Sequence, residues 1–182
     1  MADNGAVTAL AWACLATPVG PVSVGCSQAG VVQVRFGPPP AGPGTDGELA
    51  AEAARQLGEY FGGRRRAFGL PVDWSGLTGT RKQVLVTLHA SVGYGETVSY
   101  GTLARRAGVC EPAPVLPARV VGQIMGSNPC PVIVPCHRVV AGNGLGGFSG
   151  GIGVELKRWL LEFEGALPPA LDFDPDRMAP WG

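Results

Sequence analysis

The sequence predicts an α+β fold in two parts, a small unit of strands with one helix followed by a mostly helical unit. In the first third of the chain, valines occupy alternate positions in two short segments separated by a turn, which is the pattern of antiparallel strands. Beyond residue 80 the apolar residues recur at helical spacing instead. Hydrophobic residues make up 46% of the 182 residues, which is enough to bury a globular core.

Three segments of the first part are candidate strands. PVSVGC (residues 21–26) and VVQVRF (residues 31–36) alternate in hydrophobicity, and residues 28–30 form the turn between them. LPVDW (residues 70–74) is a third candidate that would return to the same sheet. The apolar stretch AVTALAWACLA (residues 6–16) follows an acidic residue instead of basic ones, so it lacks the pattern of a signal peptide.

One helix completes this part. In GELAAEAARQLGEYFGG the apolar residues Leu49, Ala53 and Leu57 lie at helical spacing, and a pair of glycines ends the helix. An antiparallel sheet with a single helix on it is therefore expected for residues 1–79, as a support domain.

Four helices are predicted in the second part, which we expect to span residues 80–168. They comprise residues 80–90, 100–107, 117–125 and 154–164. The second begins after Ser99, a good N-cap, and a loop joins it to the third, an arrangement typical of a helix-turn-helix. The predicted apolar face of the last helix consists of Leu156, Trp159, Leu160 and Phe163. Residues 169–182 are expected to be a frayed acidic tail.

The charged residues are unevenly distributed, although the formal net charge is zero. Residues 60–138 contain nine lysines and arginines against three acidic residues. Such segregation is compatible with an anionic partner and equally with a solvated basic face. The zero net charge argues mildly against a nucleic-acid partner, so composition alone leaves the question open.

The cysteine count and the hydropathy pattern indicate the compartment. Five cysteines, an odd number in a chain of this length, do not suggest a disulfide framework. No apolar run approaches the roughly 20 residues of a membrane helix. We therefore expect a cytoplasmic protein with no membrane partner.

The segment with the most chemical information is VIVPCHRVV (residues 132–140), which has the composition of an apolar strand interrupted at Cys136. A lone cysteine in an apolar run is more often core packing than a nucleophile. The thiol reacts as the thiolate, which requires a base or a positive environment. Pro135 disturbs the strand, so Cys136 and His137 can reach one pocket. Glu164 is the best candidate for the acid that orients His137, and a surface acid is the alternative.

NPCPVIVPCHRVV, a glycine-rich loop with SGG and the helix KRWLLEFEG resemble the signature of the O6-alkylguanine-DNA alkyltransferases, the methylated-DNA–protein-cysteine methyltransferases. The Pro-Cys-His-Arg-Val pattern is highly specific, and the resemblance runs from about residue 80 to residue 165. It implies a ribonuclease-H-like α/β domain followed by a winged helix-turn-helix domain. It also implies DNA repair by irreversible, single-turnover transfer of the alkyl group from O6-alkylguanine to the protein's own cysteine, with O4-alkylthymine open as a second substrate.

The resemblance also implies roles for individual residues. Cys136 matches the alkyl acceptor, His137 matches the water-linked base, and Glu164 matches the acid behind that base. Asn128 matches the hinge asparagine that braces the helix-turn-helix. Tyr100 matches the tyrosine that can donate a proton to guanine, and Ser149 matches the serine that hydrogen-bonds O6. The predicted partner is double-stranded DNA that contains O6-alkylguanine. The protein is expected to act as a monomer without an obligate protein partner.

Further residues are expected at the DNA. Arg119 matches the arginine finger that enters the base stack where the damaged nucleotide has left. Its small neighbours Ala118 and Gly122 would let the helix approach the DNA backbone closely. Arg138 is expected with them at the lesion-binding face.

No cofactor is implied, and no metal is expected. Some family members hold zinc in the N-terminal domain, but Cys26 lies near one such position without the matching histidines. Cys14 and His89 are the other candidates, so we predict no zinc. The loop of residues 109–117 is longer than usual, and Cys130 is more readily a packing residue than a redox partner.

Three other functions stay open from the sequence. A non-catalytic regulator or lesion sensor is disfavoured, because the lesion-sensing relatives lack the cysteine that is intact here. A cysteine hydrolase with a Cys–His dyad would need an oxyanion hole and would turn over many times. A protein recruited to alkylated small molecules is favoured only by the long loop.

Overall fold

The computed structural model describes residues 10–41, 47–109, 116–142, 144–146 and 153–168 of a mixed α/β protein. Contacts divide the chain into two units, Met1–Thr17 with Pro21–Asp73 and Pro18–Gly20 with Trp74–Gly182. The domain boundary after residue 79 stays a prediction. The whole of the predicted tail, residues 169–182, lies outside the described residues. Within the described part, no helix combines the length and the hydropathy needed to cross a membrane.

The first unit is a three-stranded sheet with one helix. Its elements are β1 (Ala11–Thr17), β2 (Gly20–Cys26), β3 (Val31–Phe36) and α1 (Glu48–Phe61), and the strands follow one another in that order across the sheet. β2 and β3 pair antiparallel with Val24 opposite Val34, and both valines are buried. α1 packs against β1. The two predicted strands and the predicted helix are confirmed.

β1 is an addition that the alternating pattern did not predict, because its side chains are at most half-buried. Trp12 packs its indole on the backbone of Gly25, where a Cβ would come within 2.8 Å of the ring. The third predicted strand, residues 70–74, is reduced to a single bridge between Val72 and Val31. Pro71 supplies a carbonyl to this bridge but has no N–H with which to extend a ladder.

The second unit contains the other helices. Its elements are α2 (Gly79–Ser91), β4 (Val98–Ser99), α3 (Tyr100–Arg106), α4 (Pro117–Gly126), β5 (Val139–Val140) and α5 (Gly153–Phe163). The four helices correspond to the four predicted ones. Ser99 caps α3 by accepting a hydrogen bond from the backbone N–H of Thr102 at 3.1 Å, and Pro117 occupies the first turn of α4. α3 packs against α4, and β4 pairs in parallel with β5.

The segment that leads to the cysteine is not a strand, and that prediction is wrong. Residues 131–133 form a turn, and Cys136–Arg138 form one turn of 3-10 helix. The chain bends here because Pro135 has no N–H for a ladder. In addition Val132 has φ +72°, which no β-strand accommodates. The strand pairing begins only after the motif, at β5.

α5 buries a different face from the one predicted. Its buried side chains are Leu156, Lys157, Leu160 and Leu161. Trp159 and Phe163 are only half-buried, and they stack on each other with ring centroids 5.0 Å apart. The hydrophobic pattern could not indicate Lys157, because a buried ammonium group contributes no apolar signal.

Candidate active site

Three consecutive residues of the Pro-Cys-His-Arg motif are buried on one turn of 3-10 helix. Cys136, His137 and Arg138 are 1%, 0% and 6% exposed. Core packing alone would explain why Cys136 is buried, but it would not explain why His137 and Arg138 are buried beside it. Burying an imidazole and a guanidinium is costly unless each has a partner. The partner of both is Glu164.

Glu164 follows the last turn of α5 and is buried. Its Oε1 accepts hydrogen bonds from Nε2 of His137 and from Nη2 of Arg138, and its Oε2 accepts one from Nε of Arg138, all at 2.9 Å. The remaining guanidinium nitrogen, Nη1, donates to the carbonyl of Val92 at 2.9 Å. The acid expected behind His137 is therefore in contact with it, and the alternative of a surface acid is wrong.

The protonation states of this pair follow from their surroundings. Burial alone would raise the pKa of Glu164, but the hydrogen bonds from His137 and Arg138 outweigh it and hold that pKa well below its usual range. The carboxylate can only accept, so Nε2 of His137 carries the hydrogen of their bond. Burial lowers the pKa of His137, so the ring is neutral and Nδ1 keeps an open lone pair. Nδ1 is buried and has no hydrogen-bond partner among the described residues.

The thiol of Cys136 is protonated in the resting protein. Burial raises its pKa to about 11, while a hydrogen bond from Asn128 and the charge of Lys157 act in the opposite direction. The thiolate is the reactive form of cysteine, so a nucleophile at this position needs a base that removes its proton.

Asn128 connects the end of α4 with the turn that carries the thiol. Its Nδ2 donates to the carbonyl of Val134 at 2.8 Å, and its Oδ1 accepts from the backbone N–H of Cys130 at 3.1 Å. Asn128 therefore joins the end of α4 to the turn before Cys136, and its role as a hinge stays a prediction. Cys130 is buried at 1% exposure, in agreement with the packing interpretation.

Lys157 is a further site residue, outside the predicted set. It is fully buried, its Nζ donates to the carbonyl of Val139 at 2.6 Å, and the same Nζ lies 3.4 Å from the hydroxyl of Tyr100. Burial lowers the pKa of Lys157 to about 8. Lys157 precedes Glu164 by two helical turns, so both lie on one helix face. This spacing was the available signal in the sequence.

Tyr100 is the first residue of α3 and is half-buried. Burial and, after it, the negative charge that Cys136 carries as a thiolate raise the pKa of Tyr100, so its hydroxyl is protonated at neutral pH. Two glycines lie against its ring: a Cβ would come within 2.9 Å of it at Gly146 and within 3.9 Å at Gly122. A side chain at Gly146 would therefore collide with the ring, whereas a methyl group at Gly122 would make an ordinary contact with it.

The residues predicted to contact DNA differ in exposure. Arg119 is exposed, and Ala118 and Gly122 on the same helix are half-buried. Arg138 is buried and bound to Glu164, which does not fit a direct contact with DNA. Ser149 lies outside the described residues.

No metal cluster is present among the described residues, where no three His, Cys, Asp or Glu side chains lie close enough together to hold an ion. Burial raises the pKa of Cys26 to about 11, so this former zinc candidate is a protonated thiol. The predicted absence of zinc stays a prediction.

The site combines a buried thiol, a neutral imidazole oriented by a carboxylate and a tyrosine–lysine pair, which are the groups that a protein with a cysteine nucleophile requires. The same unit contains two packed helices, the second with an exposed arginine. The model of the family described as "6-O-methylguanine DNA methyltransferase, DNA binding domain" matches residues 80–166. The chain belongs to the 6-O-methylguanine DNA methyltransferase family, which confirms the resemblance seen in the sequence.

Relatives and solved structures support this assignment. The DNA base-flipping protein of Thermus thermophilus is 41% identical over 155 residues, which cover 84% of this chain and 99% of that protein. The methylated-DNA–protein-cysteine methyltransferase of Methanopyrus kandleri is 41% identical over 130 residues, or 68% of this chain and 92% of that protein. The crystal structure of Mycobacterium tuberculosis OGT in complex with DNA superimposes with a TM-score of 0.70 at 34% identity, covering 85% of this chain and 93% of that one.

Proposed function

We propose that this protein repairs DNA by direct damage reversal: it transfers the alkyl group of O6-alkylguanine in double-stranded DNA to its own Cys136, once per protein molecule. The observation that carries this function is the contact between His137 and Glu164, because it supplies an oriented neutral base next in sequence to the thiol. The relatives named methylated-DNA–protein-cysteine methyltransferase support it. In this proposal the protein acts as a monomer in the cytoplasm, without a cofactor.

The reaction is a displacement at a saturated carbon. Nδ1 of His137 takes the proton of the thiol through a water molecule, as the family resemblance implies, and Glu164 stabilises the imidazolium that forms. The sulfur of Cys136 then forms a bond to the alkyl carbon while the bond between that carbon and O6 breaks. The electron pair of the broken bond stays on guanine. The product is a thioether, so the protein is spent after one transfer.

Tyr100 supplies the proton that the departing guanine needs. Its hydroxyl is protonated because its pKa is raised, and the ammonium of Lys157 at 3.4 Å stabilises the phenolate that remains. The same ammonium lowers the pKa of Cys136 and so favours the thiolate. Lys157 therefore serves the nucleophile and the leaving group together.

The damaged base has to leave the duplex to reach a buried thiol, which costs a few kcal/mol of unstacking. Arg119, exposed on α4, fills the gap in the base stack and offsets part of that cost. The small side chains at Ala118 and Gly122 let α4 approach the DNA backbone. α3 and α4 then act as the helix-turn-helix of a winged domain, with a ribonuclease-H-like first unit as support. Ser149 keeps its role as the hydrogen-bond donor to O6.

Arg138 has a supporting role in this proposal instead of a contact with DNA. Its guanidinium binds both oxygens of Glu164 in a bidentate pair, and its third nitrogen is bound by the carbonyl of Val92. This arrangement fixes the carboxylate in the orientation that His137 requires.

The test is the intact mass of the protein after it is mixed with a duplex carrying one O6-methylguanine, followed by peptide mapping. We expect one added methyl group, on Cys136, saturating at one per protein. Cys136→Ser should gain no mass and still bind the lesion, whereas Cys14→Ser, a change at an exposed cysteine, should behave as the wild type. Lesion binding without a gain in mass would indicate a sensor. Multiple turnover on an ester or amide would indicate a hydrolase.

A further inference from the structure

Two consecutive carbonyl groups before the nucleophile are held by side chains from two different helices. Asn128, at the end of α4, donates to the carbonyl of Val134 at 2.8 Å. His89, in the last turn of α2, binds the carbonyl of Ile133 through Nδ1 at 3.0 Å. A carbonyl oxygen only accepts, so Nδ1 of His89 carries a hydrogen. The backbone N–H of Cys136 donates to the same Val134 carbonyl at 2.8 Å, which ties the nucleophile to this turn.

The turn held in this way is strained. Val132 has φ +72° although it is β-branched and only 1% exposed. A residue of this kind keeps such a conformation only where the surrounding structure over-determines it. One backbone hydrogen bond, from Val134 N–H to the carbonyl of Cys130 at 2.8 Å, closes the turn from within. His89 and Asn128 supply restraint from outside.

The ring of His89 is itself oriented by a neighbour. Trp74 lies edge-on to it, with ring centroids 5.9 Å apart and an angle of 61° between the planes. His89 is half-buried on α2, whose residues Val84, Leu85 and Leu88 are fully buried. The N–H of His89 that contacts Ile133 therefore belongs to a well-packed helix.

We propose that His89 is a positioning residue for alkyl transfer: its N–H holds Ile133 in the strained turn and thereby fixes the backbone that presents Cys136. The effect on transfer rests on the proposed function, whereas the hold on the turn does not. The hydrophobic pattern of α2 gives no reason for a polar side chain that points at this turn.

The experiment compares two variants. His89→Leu keeps a side chain of similar bulk and removes the donor, while His89→Asn places an amide N–H near the position of Nδ1. Hydrogen–deuterium exchange of a peptide covering residues 130–138 reports on the turn, and the rate constant of methyl transfer from the duplex reports on the nucleophile. Lesion affinity is measured for each change in a Cys136→Ser background.

In His89→Leu we expect exchange in residues 130–138 to be about three- to tenfold faster and transfer to be slower by a similar factor, as for the loss of one hydrogen bond. Lesion affinity should not change. His89→Asn should restore both rates toward the wild type, although asparagine is a poorer helix former than leucine. If His89→Asn restores the rates although it is the poorer helix former, the effect comes from the N–H that holds the turn and not from the stability of α2.

Unchanged exchange in His89→Leu, or equally fast exchange in His89→Asn, would overturn the role. Equally accelerated exchange throughout α2 would also overturn it, since that pattern indicates a general loss of stability. Faster exchange with transfer at the wild-type rate would refute the effect on catalysis. If the wild type gains no methyl group, the proposed function fails, while the exchange comparison still decides whether His89 holds the turn.

Discussion

Oε1 of Glu164 lies 2.9 Å from Nε2 of His137, and neither side chain is exposed to solvent. The two residues are 27 positions apart in the chain, one on the turn of the nucleophile and one beyond the end of α5. Their contact determines the tautomer of the imidazole and leaves Nδ1 as the proton acceptor.

Glu164→Gln should slow methyl transfer and move the acidic limb of the pH–rate profile to lower pH. The charge of Glu164 raises the pKa of His137 against the effect of burial. Without that charge the pKa of His137 falls further, so the imidazole stays neutral to lower pH but is a weaker base. Single-turnover rates measured across the acidic range check this. An unchanged profile would remove Glu164 from the proton path.

Glu164→Ala should lower the free energy of unfolding by about 3–5 kcal/mol, because it leaves Arg138 buried without its counter-charge. Glu155→Ala, at an exposed position on the same helix, should change it by less than about 0.5 kcal/mol. Urea denaturation followed by circular dichroism measures both. Equal changes in the free energy of unfolding would contradict a stabilising ion pair between Glu164 and Arg138.

The depressed pKa of Glu164 also predicts how stability depends on pH. A carboxyl group with a folded-state pKa below its unfolded value stabilises the protein above the unfolded pKa, and this contribution is lost as the pH falls through the folded one. The wild type should therefore lose stability on acidification below the ordinary range of glutamate, and Glu164→Gln should lose less over the same interval. Denaturation midpoints at a series of acidic pH values provide the comparison.

Lys157→Met should slow methyl transfer at neutral pH, because Lys157, with a pKa of about 8, is charged there and its charge favours the thiolate of Cys136. Arg158→Met is the matched control, since Arg158 is the exposed next residue of the same helix. Single-turnover rate constants at neutral and alkaline pH measure the effect, and the difference between the two variants should shrink as the pH rises above the pKa of Lys157. Equal rate constants of the two variants at neutral pH would contradict the role of Lys157.

Arg119→Ala should weaken transfer from a duplex more than transfer from free O6-methylguanine, because only the duplex requires a flipped base. Arg64→Ala, an exposed arginine of the first unit, serves as the control for a lost surface charge. The measurement compares the rate constants of methyl transfer from the duplex and from free O6-methylguanine for each variant. Equal losses of rate on the duplex and on the free base would argue against insertion of Arg119 into the base stack.

Gly146→Ala should destabilise the protein by about 1–3 kcal/mol and slow transfer, because this position has φ +76° and its Cβ would lie 2.9 Å from the ring of Tyr100. Gly142→Ala should have little effect, since nothing lies within 4 Å of the Cβ there. Thermal denaturation and single-turnover kinetics apply to both variants. A Gly146→Ala protein that transfers methyl groups as fast as Gly142→Ala would show that Tyr100 tolerates displacement.

Local patterns were enough to predict much of this protein. The alternating valines of β2 and β3, the helical spacing of α1 and the cap at Ser99 depend on near neighbours in the chain, so the sequence alone predicts each of them. The sequence pattern does not predict β1, because its half-buried side chains alternate weakly. The apolar run before Cys136 was misjudged because its composition favours a strand while Pro135 and the positive φ of Val132 bend it.

The sequence by itself determined the family and singled out Cys136 as the proposed nucleophile, because the Pro-Cys-His-Arg motif is contiguous and its meaning does not depend on distant residues. Only the tertiary structure decided that Arg138 turns inward to Glu164 and that Lys157 lies under Tyr100. It also brought the N–H of His89 to the carbonyl of Ile133. Buried polar groups are stable only with partners, and those partners come from distant parts of the chain, so their positions are a property of the folded protein.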